Sequence, residues 1–225
     1  MGILVSVNVG KARPNPWKAA GTTGIDKHPV DGPVAVRAPG PIGSGAVGLE
    51  GDRVHDVKHH GGDDKAVYAY AREDLDAWAD ELGRDIPSGS FGENLTTGGL
   101  DVNGALIGER WRVGDRVVLE VSIPRTPCRT FQGWMGLDDW ITRFTRQAWP
   151  GAYLRVIEPG HIRTGDAVSV EHRPDHDVTV ARTFRALTLE PDLLPTLTAA
   201  EALPREVRAL VARRLATRAP EDRGQ

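Results

Sequence analysis

Cysteine is almost missing from this chain: Cys128 is the only thiol among 225 residues, so an intramolecular disulfide is excluded and a disulfide-stapled framework with it. A conventional iron–sulfur cluster is excluded too, because a single thiolate cannot hold one. Neither sign of charge is in excess. Twenty-eight Lys and Arg face 31 Asp and Glu, and the formal net charge of −3 gives no global attraction to nucleic acid or to an anionic membrane. No apolar run has membrane-spanning length and no basic-then-apolar leader is present, so the expectation is a soluble, cytoplasmic protein with no membrane and no nucleic-acid partner. Long uninterrupted patterns are scarce as well. Twenty-six glycines and 16 prolines cut the chain into short elements, which favours strands over long helices.

What is there begins with alternation. Val117, Leu119, Val121 and Ile123 share one face and Glu120 and Ser122 the other, the period of a half-buried strand. Ile3, Val5, Val7 and Val9 alternate in the same way, which overrides the minimal myristoylation pattern at Gly2, since a strand inside a sheet leaves no tail to acylate. Further strand-like runs cover 34–37, 66–70, 111–113, 152–157 and 167–171. Two helices interrupt them. One spans 73–82, with Leu75, Trp78, Ala79 and Leu82 aligned and a stop at Gly83; the second is capped by Asp138 and carries Ile141, Phe144 and Ala148. Many short strands with few helices make the fold class mainly β, a closed or nearly closed barrel over residues 1–172.

After His172 the texture changes. The helical patterns 178–187, 191–203 and 204–217 are each too short to persist alone in water, so residues 173–219 are expected to pack as a three-helix unit that docks a partner, mediates dimerisation or, the favoured reading, covers an open barrel edge. Residues 220–225 read as a frayed tail. Six tryptophans leave room for an apolar interface, so a homodimer stays open.

Four local patterns bear on chemistry. Gly43-Ser44-Gly45-Ala46-Val47-Gly48 matches a dinucleotide fingerprint but follows Pro39-Gly40-Pro41 instead of a strand and precedes no helix, so it reads as a glycine loop. His55, His59 and His60 lack the intervening glutamate of a zinc protease and have one cysteine to complete a site; the diglycine Gly61-Gly62, with Lys58, His60 and Lys65 around it, suits an anion-binding turn better, against the plain reading of a solvated basic turn. The loop 89–97 places Phe91 to anchor it, with Asn94, Thr96 and Thr97 suited to the edge of a polar heterocycle. Cys128 follows Pro124-Arg125-Thr126-Pro127 and precedes Arg129; flanking cations favour thiolate over thiol, while the alternative is a space-filling buried cysteine.

In order along the chain, Gly51-Asp52, His60-Gly61-Gly62, Lys65-Ala66-Val67-Tyr68, Phe91-Gly92-Glu93-Asn94-Leu95, Gly108, Gly114-Asp115 and Glu120-Val121-Ser122 leading to Pro124-Arg125-Thr126-Pro127-Cys128 resemble the MOSC family, named from the molybdenum cofactor sulfurase C-terminal domain. The resemblance runs from about Ser6 to Glu171, and the helical extension is similar to that of a bacterial subgroup resembling N-hydroxylaminopurine reductases.

The resemblance implies a barrel-like domain that binds the molybdenum cofactor, a pyranopterin dithiolene with a terminal phosphate. It makes Cys128 the thiolate on molybdenum, a soft ligand for a metal already held by sulfur. Arg125, His60, Gly61, Gly62 and Lys65 would offset the cofactor's charge, Asn94 and Thr96 would contact it, and Thr23 and Lys27 would close the other wall. Glu93 and Asp52 are the candidate proton sources, each with the competing reading of a turn or capping residue. The implied activity is a two-electron reduction of a small N-hydroxylated substrate to amine and water, with electrons from a separate electron-donor protein. Two alternatives stay open: a non-catalytic cofactor or sulfur carrier, and a metal-free enzyme with a cysteine nucleophile.

Overall fold

The computed structural model describes residues 1–18, 21–53 and 61–218. The strands among them are β1 (Gly2–Gly10), β2 (Arg13–Pro14), β3 (Thr22–Thr23), β4 (Lys27–Pro29), β5 (Val34–Val36), β6 (Val67–Ala71), β7 (Leu95–Gly98), β8 (Arg110–Val113), β9 (Val117–Pro124), β10 (Ala152–Glu158), β11 (Gly160–Ile162) and β12 (Ala167–His172). Seven of these form one continuous wall in the order β12–β8–β9–β10–β6–β7–β1, and β1 returns to β12 through Gly2↔Val168 and Ile3↔Ala167. The sheet is therefore closed, the arrangement that removes unpaired edges altogether. Neighbours in the wall are antiparallel except β6 and β7. That parallel pair needs a crossover, and helix α1 (Arg72–Leu82), ended by Gly83 in the left-handed conformation, supplies it.

The mainly β barrel is as the strand periodicities predict, and its faces explain where the site sits. Every residue of β6 is buried: Val67, Ala69 and Ala71 point into the barrel core with Leu4, Leu95, Leu119 and Leu154, while Tyr68 and Tyr70 point outward into a second core. That outer core holds Trp78 of α1, Phe131 of α2 (Arg129–Met135), and Trp140 and Phe144 of α3 (Trp140–Gln147). A strand covered on both faces loses polar alternation, as β6 does.

Several expectations are corrected. A bulge between Leu4 and Ser6 in the pairing of β1 with β7 shifts the face in mid-strand, so Leu4 and Val7 are both fully buried while Ile3 and Val5 are 46% and 37% exposed. Residues 95–97, read as part of a loop, belong to β7 in the barrel wall. Helix α3 starts after Asp139, not Asp138, and the Asp139 carboxylate accepts from Arg143 Nε at 2.7 Å instead of capping the helix. Helix α2 had no counterpart in the sequence reading.

The extension holds three short helices whose bounds and type differ from the sequence patterns in two places. Helix α4 (Val180–Thr188) begins two residues late because the Val178 carbonyl and Val180 N–H bond to Ile107 and Ala105, and Thr179 caps it by accepting from Arg182 N at 3.0 Å. Pro191–Ala199 is a 3₁₀ helix with Pro195 inside it, where an α-helix would lose a hydrogen bond; α5 (Arg205–Arg218) follows. Val180, Leu194, Leu197, Leu203 and Val211 belong to the same apolar core as the barrel interior. With the barrel closed, the extension covers no open edge of it.

Candidate functional site

A cleft opens on the outer face of the barrel wall, where β6 and β10 present Tyr68 and Tyr153. The long connection from β1 to β4 brings Asn15, Lys18, Thr22 and Thr23 over it, and β4 opens with Lys27; the glycine loop adds Val47 and Gly48; Asp52, Arg53, Gly61 and Lys65 follow; and the segment after β9 delivers Arg125, Cys128 and Thr130. Gly48 is required by close approach: a Cβ there would lie 2.1 Å from the Ala66 carbonyl oxygen. The fingerprint loop thus serves as a cleft wall packed on β6.

Charge is the distinguishing property of this cleft. Among the described residues, Lys18, Lys27, Arg53, Lys65 and Arg125 line it against one carboxylate, Asp52, in a chain whose net charge is −3. Asp52 is committed within the wall. Its Oδ1 accepts from Gly10 N at 2.9 Å, its Oδ2 accepts from Asn94 Nδ2 at 2.8 Å, and both oxygens take Lys27 Nζ in a buried ion pair. Asn94 is equally engaged, since its Oδ1 accepts from Tyr68 N at 3.1 Å, so it joins Asp52 to the barrel and has no carboxamide group left to read a heterocycle.

Arg125 is 6% exposed and has no carboxylate partner among the described residues. Its Nη1 donates to the Phe91 carbonyl at 2.8 Å, and its guanidinium carbon sits 3.7 Å from the Phe131 ring centroid and 5.2 Å from that of Tyr68. Burial opposes its charge, yet the balance lies above the ordinary guanidinium value because the Tyr68 and Tyr153 phenols and the Cys128 thiol favour the cation. Burial in turn pushes the phenols of Tyr68 and Tyr153 up, against the Arg125 charge. Cys128 precedes α2 in extended conformation, lines the cleft partly exposed, and also packs against the outer core.

Thr23, Lys27, Asp52, Gly61, Lys65, Asn94, Arg125 and Cys128, all singled out from sequence, come together here. His60, with His55 and His59, lies outside the described residues. Gly62 faces away from the cleft, against Ile42. Glu93 and Thr96 stand behind the wall: Glu93 is fully buried and accepts from Gly89 N at 2.5 Å, Phe91 N at 3.0 Å and Thr96 Oγ1 at 3.0 Å. Burial pushes its carboxyl up, and its contacts tie residues 89, 91 and 96 together. The sequence reading missed Lys18, Arg53 and the tyrosines. Tyr68 carried a signal, as an aromatic at an outward position directly after the quoted lysine turn; Lys18 and Arg53 carried none. Among the described residues no cluster of three or more His, Cys, Asp or Glu is placed to hold a metal ion, and no helix is long and apolar enough to cross a membrane.

A family model described as the MOSC domain matches residues 56–169. The protein YflK of Bacillus subtilis (strain 168) is 31% identical over 178 residues, 79% of this chain and 76% of that one. A protein of Gibberella moniliformis named "Reductase" is 30% identical over 88% of this chain, which spans only 35% of that protein's length. The crystal structure of YiiM from Geobacillus stearothermophilus superposes with a TM-score of 0.76 at 28% identity, covering 96% of this chain and all of that one.

Proposed function

The chain belongs to the MOSC domain family, and from that premise we propose that its cleft binds the molybdenum cofactor and reduces N-hydroxylated bases or related compounds to the amine and water. The observation that carries the reading is Arg125: a buried guanidinium with no carboxylate partner among the described residues, in one wall with a cysteine, calls for an anionic ligand beside a soft metal. The donor set fits a phosphate-bearing dithiolene cofactor, with one accessible sulfur and five cationic side chains around the cleft.

In this reading Cys128 supplies the protein's thiolate to molybdenum, and Arg125 stabilises that thiolate and the cofactor's charge. Lys65 and Gly61 hold an anionic portion from the opposite turn, while Thr23 and Lys18 close the outer wall. When bound, the cofactor supplies the two-electron redox chemistry, which side chains of this composition cannot. Asp52 and Glu93 act as positioning residues, since their oxygens are taken up by wall contacts. Electrons come from a separate donor protein in the cytoplasm. The name of the fungal relative supports a reductase and goes no further.

The test is metal analysis of wild type and Cys128→Ala from a host that makes the cofactor, with turnover of N-hydroxylaminopurine by a competent donor. Molybdenum in wild type, its loss in the variant and formation of the amine are expected. Well-folded wild type without molybdenum overturns the reading; molybdenum without turnover selects the carrier.

A further inference from the structure

The turn that brings Gly61 and Lys65 to the cleft is anchored from outside by an alternating row of charges across three barrel strands. Arg110, Glu120 and Arg155 lie opposite one another on β8, β9 and β10. Arg110 Nε donates to Glu120 Oε2 at 2.9 Å, Arg155 Nη1 to Glu120 Oε1 at 3.0 Å, and Arg155 Nε to Asp64 Oδ1 at 2.5 Å. The row therefore ends on the turn itself, one residue before Lys65. Ser122, fully buried on β9, adds a second hold: its hydroxyl reaches the Asp64 carbonyl at 2.5 Å and the Tyr153 carbonyl at 2.9 Å.

On the far side, Gly40 N donates to Asp63 Oδ1 at 2.8 Å, and a Cβ on Gly62 would lie 2.8 Å from Ile42 N. The turn is thus clamped between the barrel wall and the loop carrying Pro39, Ala46 and Gly48. Cross-strand pairs of opposite charge are individually weak in water, but Glu120 and Arg155 are largely shielded and share partners, the condition under which a network is stiffer than its pairs. A barrel is also the most rigid element available to aim a binding group.

We propose that the Arg110–Glu120–Arg155–Asp64 row is a positioning device that holds Lys65 and Gly61 at the geometry an anionic ligand requires, with Arg155 as its central residue. The inference rests on the anion-binding part of the reading above and is independent of molybdenum. Arg155 touches no ligand and acts through Asp64.

The probe is inorganic pyrophosphate, titrated calorimetrically into the full chain. Arg155→Met, which keeps the stem and removes the charge, is expected to weaken binding about tenfold, the scale seen when an outer partner of a ligating residue is lost. Arg155→Lys recovers most of it. In a Lys65→Met background the same Arg155→Met change adds no further loss, because both act through one contact; a purely structural effect would add. Asp64→Asn gives the same pattern where Arg155→Met does not fold. Unaltered affinity in both row variants, additive losses, or a wild type that binds no pyrophosphate each overturns the proposal. Row-dependent pyrophosphate binding in a wild type that carries no molybdenum leaves the positioning role standing and removes the cofactor reading; molybdenum-loaded wild type with a row-independent probe affinity does the reverse.

Discussion

Arg125 and Phe131 are stacked, the guanidinium carbon 3.7 Å from the ring centroid, and this contact stands where a buried arginine ordinarily has a carboxylate. The face of the ring offsets part of the desolvation while leaving the cation available to the cleft. Among the described residues no carboxylate balances the Arg125 charge.

Replacing Arg125 with Met preserves stem volume and the apolar contact with Phe131 while deleting the charge. The unfolding midpoint is expected to stay near wild type, because a buried ion exchanged for an apolar isostere is often neutral for stability. Molybdenum content should fall about tenfold or more, on the scale of lost supporting contacts at metal sites. Arg125→Lys should not restore it, since a compact ammonium cannot stack as the planar fork does. Metal analysis beside thermal unfolding checks both halves.

Lys27→Met strands the Asp52 carboxylate in the wall with Gly10 N and Asn94 Nδ2 as its remaining donors among the described residues. Removing one partner of a buried pair costs about 3–5 kcal/mol, so urea unfolding should show a loss of that order. The double variant Lys27→Met/Asp52→Asn should recover part of it, because the neutral amide no longer needs a countercharge.

At Gly48 a methyl group would meet the backbone oxygen of Ala66 at 2.1 Å, and backbone cannot swing aside as a flexible side chain does. Gly48→Ala should cost about 1–3 kcal/mol by overpacking. Since Val47, Gly48 and Ala66 all line the cleft, ligand affinity should drop with stability; thermal unfolding and metal content measure the two together.

Asp74 couples stability to pH. Burial, with Asp101 and Glu73 nearby, pushes its carboxyl up from 3.8 to about 6, against the Asn103 amide, which donates to it at 2.7 Å. The folded state therefore keeps this proton over a range where the unfolded chain has released it. The associated stability is complete below the unfolded value near 3.8 and is lost as the pH rises through about 6. Asp74→Asn should accordingly be more stable than wild type at pH 7, with the difference disappearing below about pH 4. Urea midpoints at the two pH values decide it; an unchanged difference between them would falsify the assignment.

Much of this was legible in the sequence for identifiable reasons. The period-two runs mark β6, β9, β10 and β12 within a residue or two, because strands with one face in a barrel core must alternate or become wholly apolar. Gly83 marks the end of α1, because the left-handed cap excludes most other residues. Cys128 stood out because it is alone, and the structure sets it on the cleft wall with Arg125, Lys65, Asp52 and Thr23. Helix α2 was not legible: its seven residues follow Thr126-Pro127 and carry Gly133 in the middle, so neither length nor propensity announces a helix. The bulge in β1 was hidden as well, since a register shift is a property of the pair and not of either strand.

The division between Glu93 and Arg125 shows where local information ends. Both are charged residues in glycine- or proline-rich loops, and by type alone either could be catalytic. Closing the sheet from β12 back to β1 and laying α2 against the outer wall put Glu93 behind it, with three donors on its two oxygens, and put Arg125 at the surface of the cleft without a carboxylate partner among the described residues. Composition, spacing and period by themselves determined that this is a strand-built barrel with a single thiol set beside two arginines. Which charged groups are spent on holding the wall, and which are left for a ligand, was decided only by tertiary structure, because hydrogen-bond satisfaction depends on partners tens of residues away that no local pattern encodes.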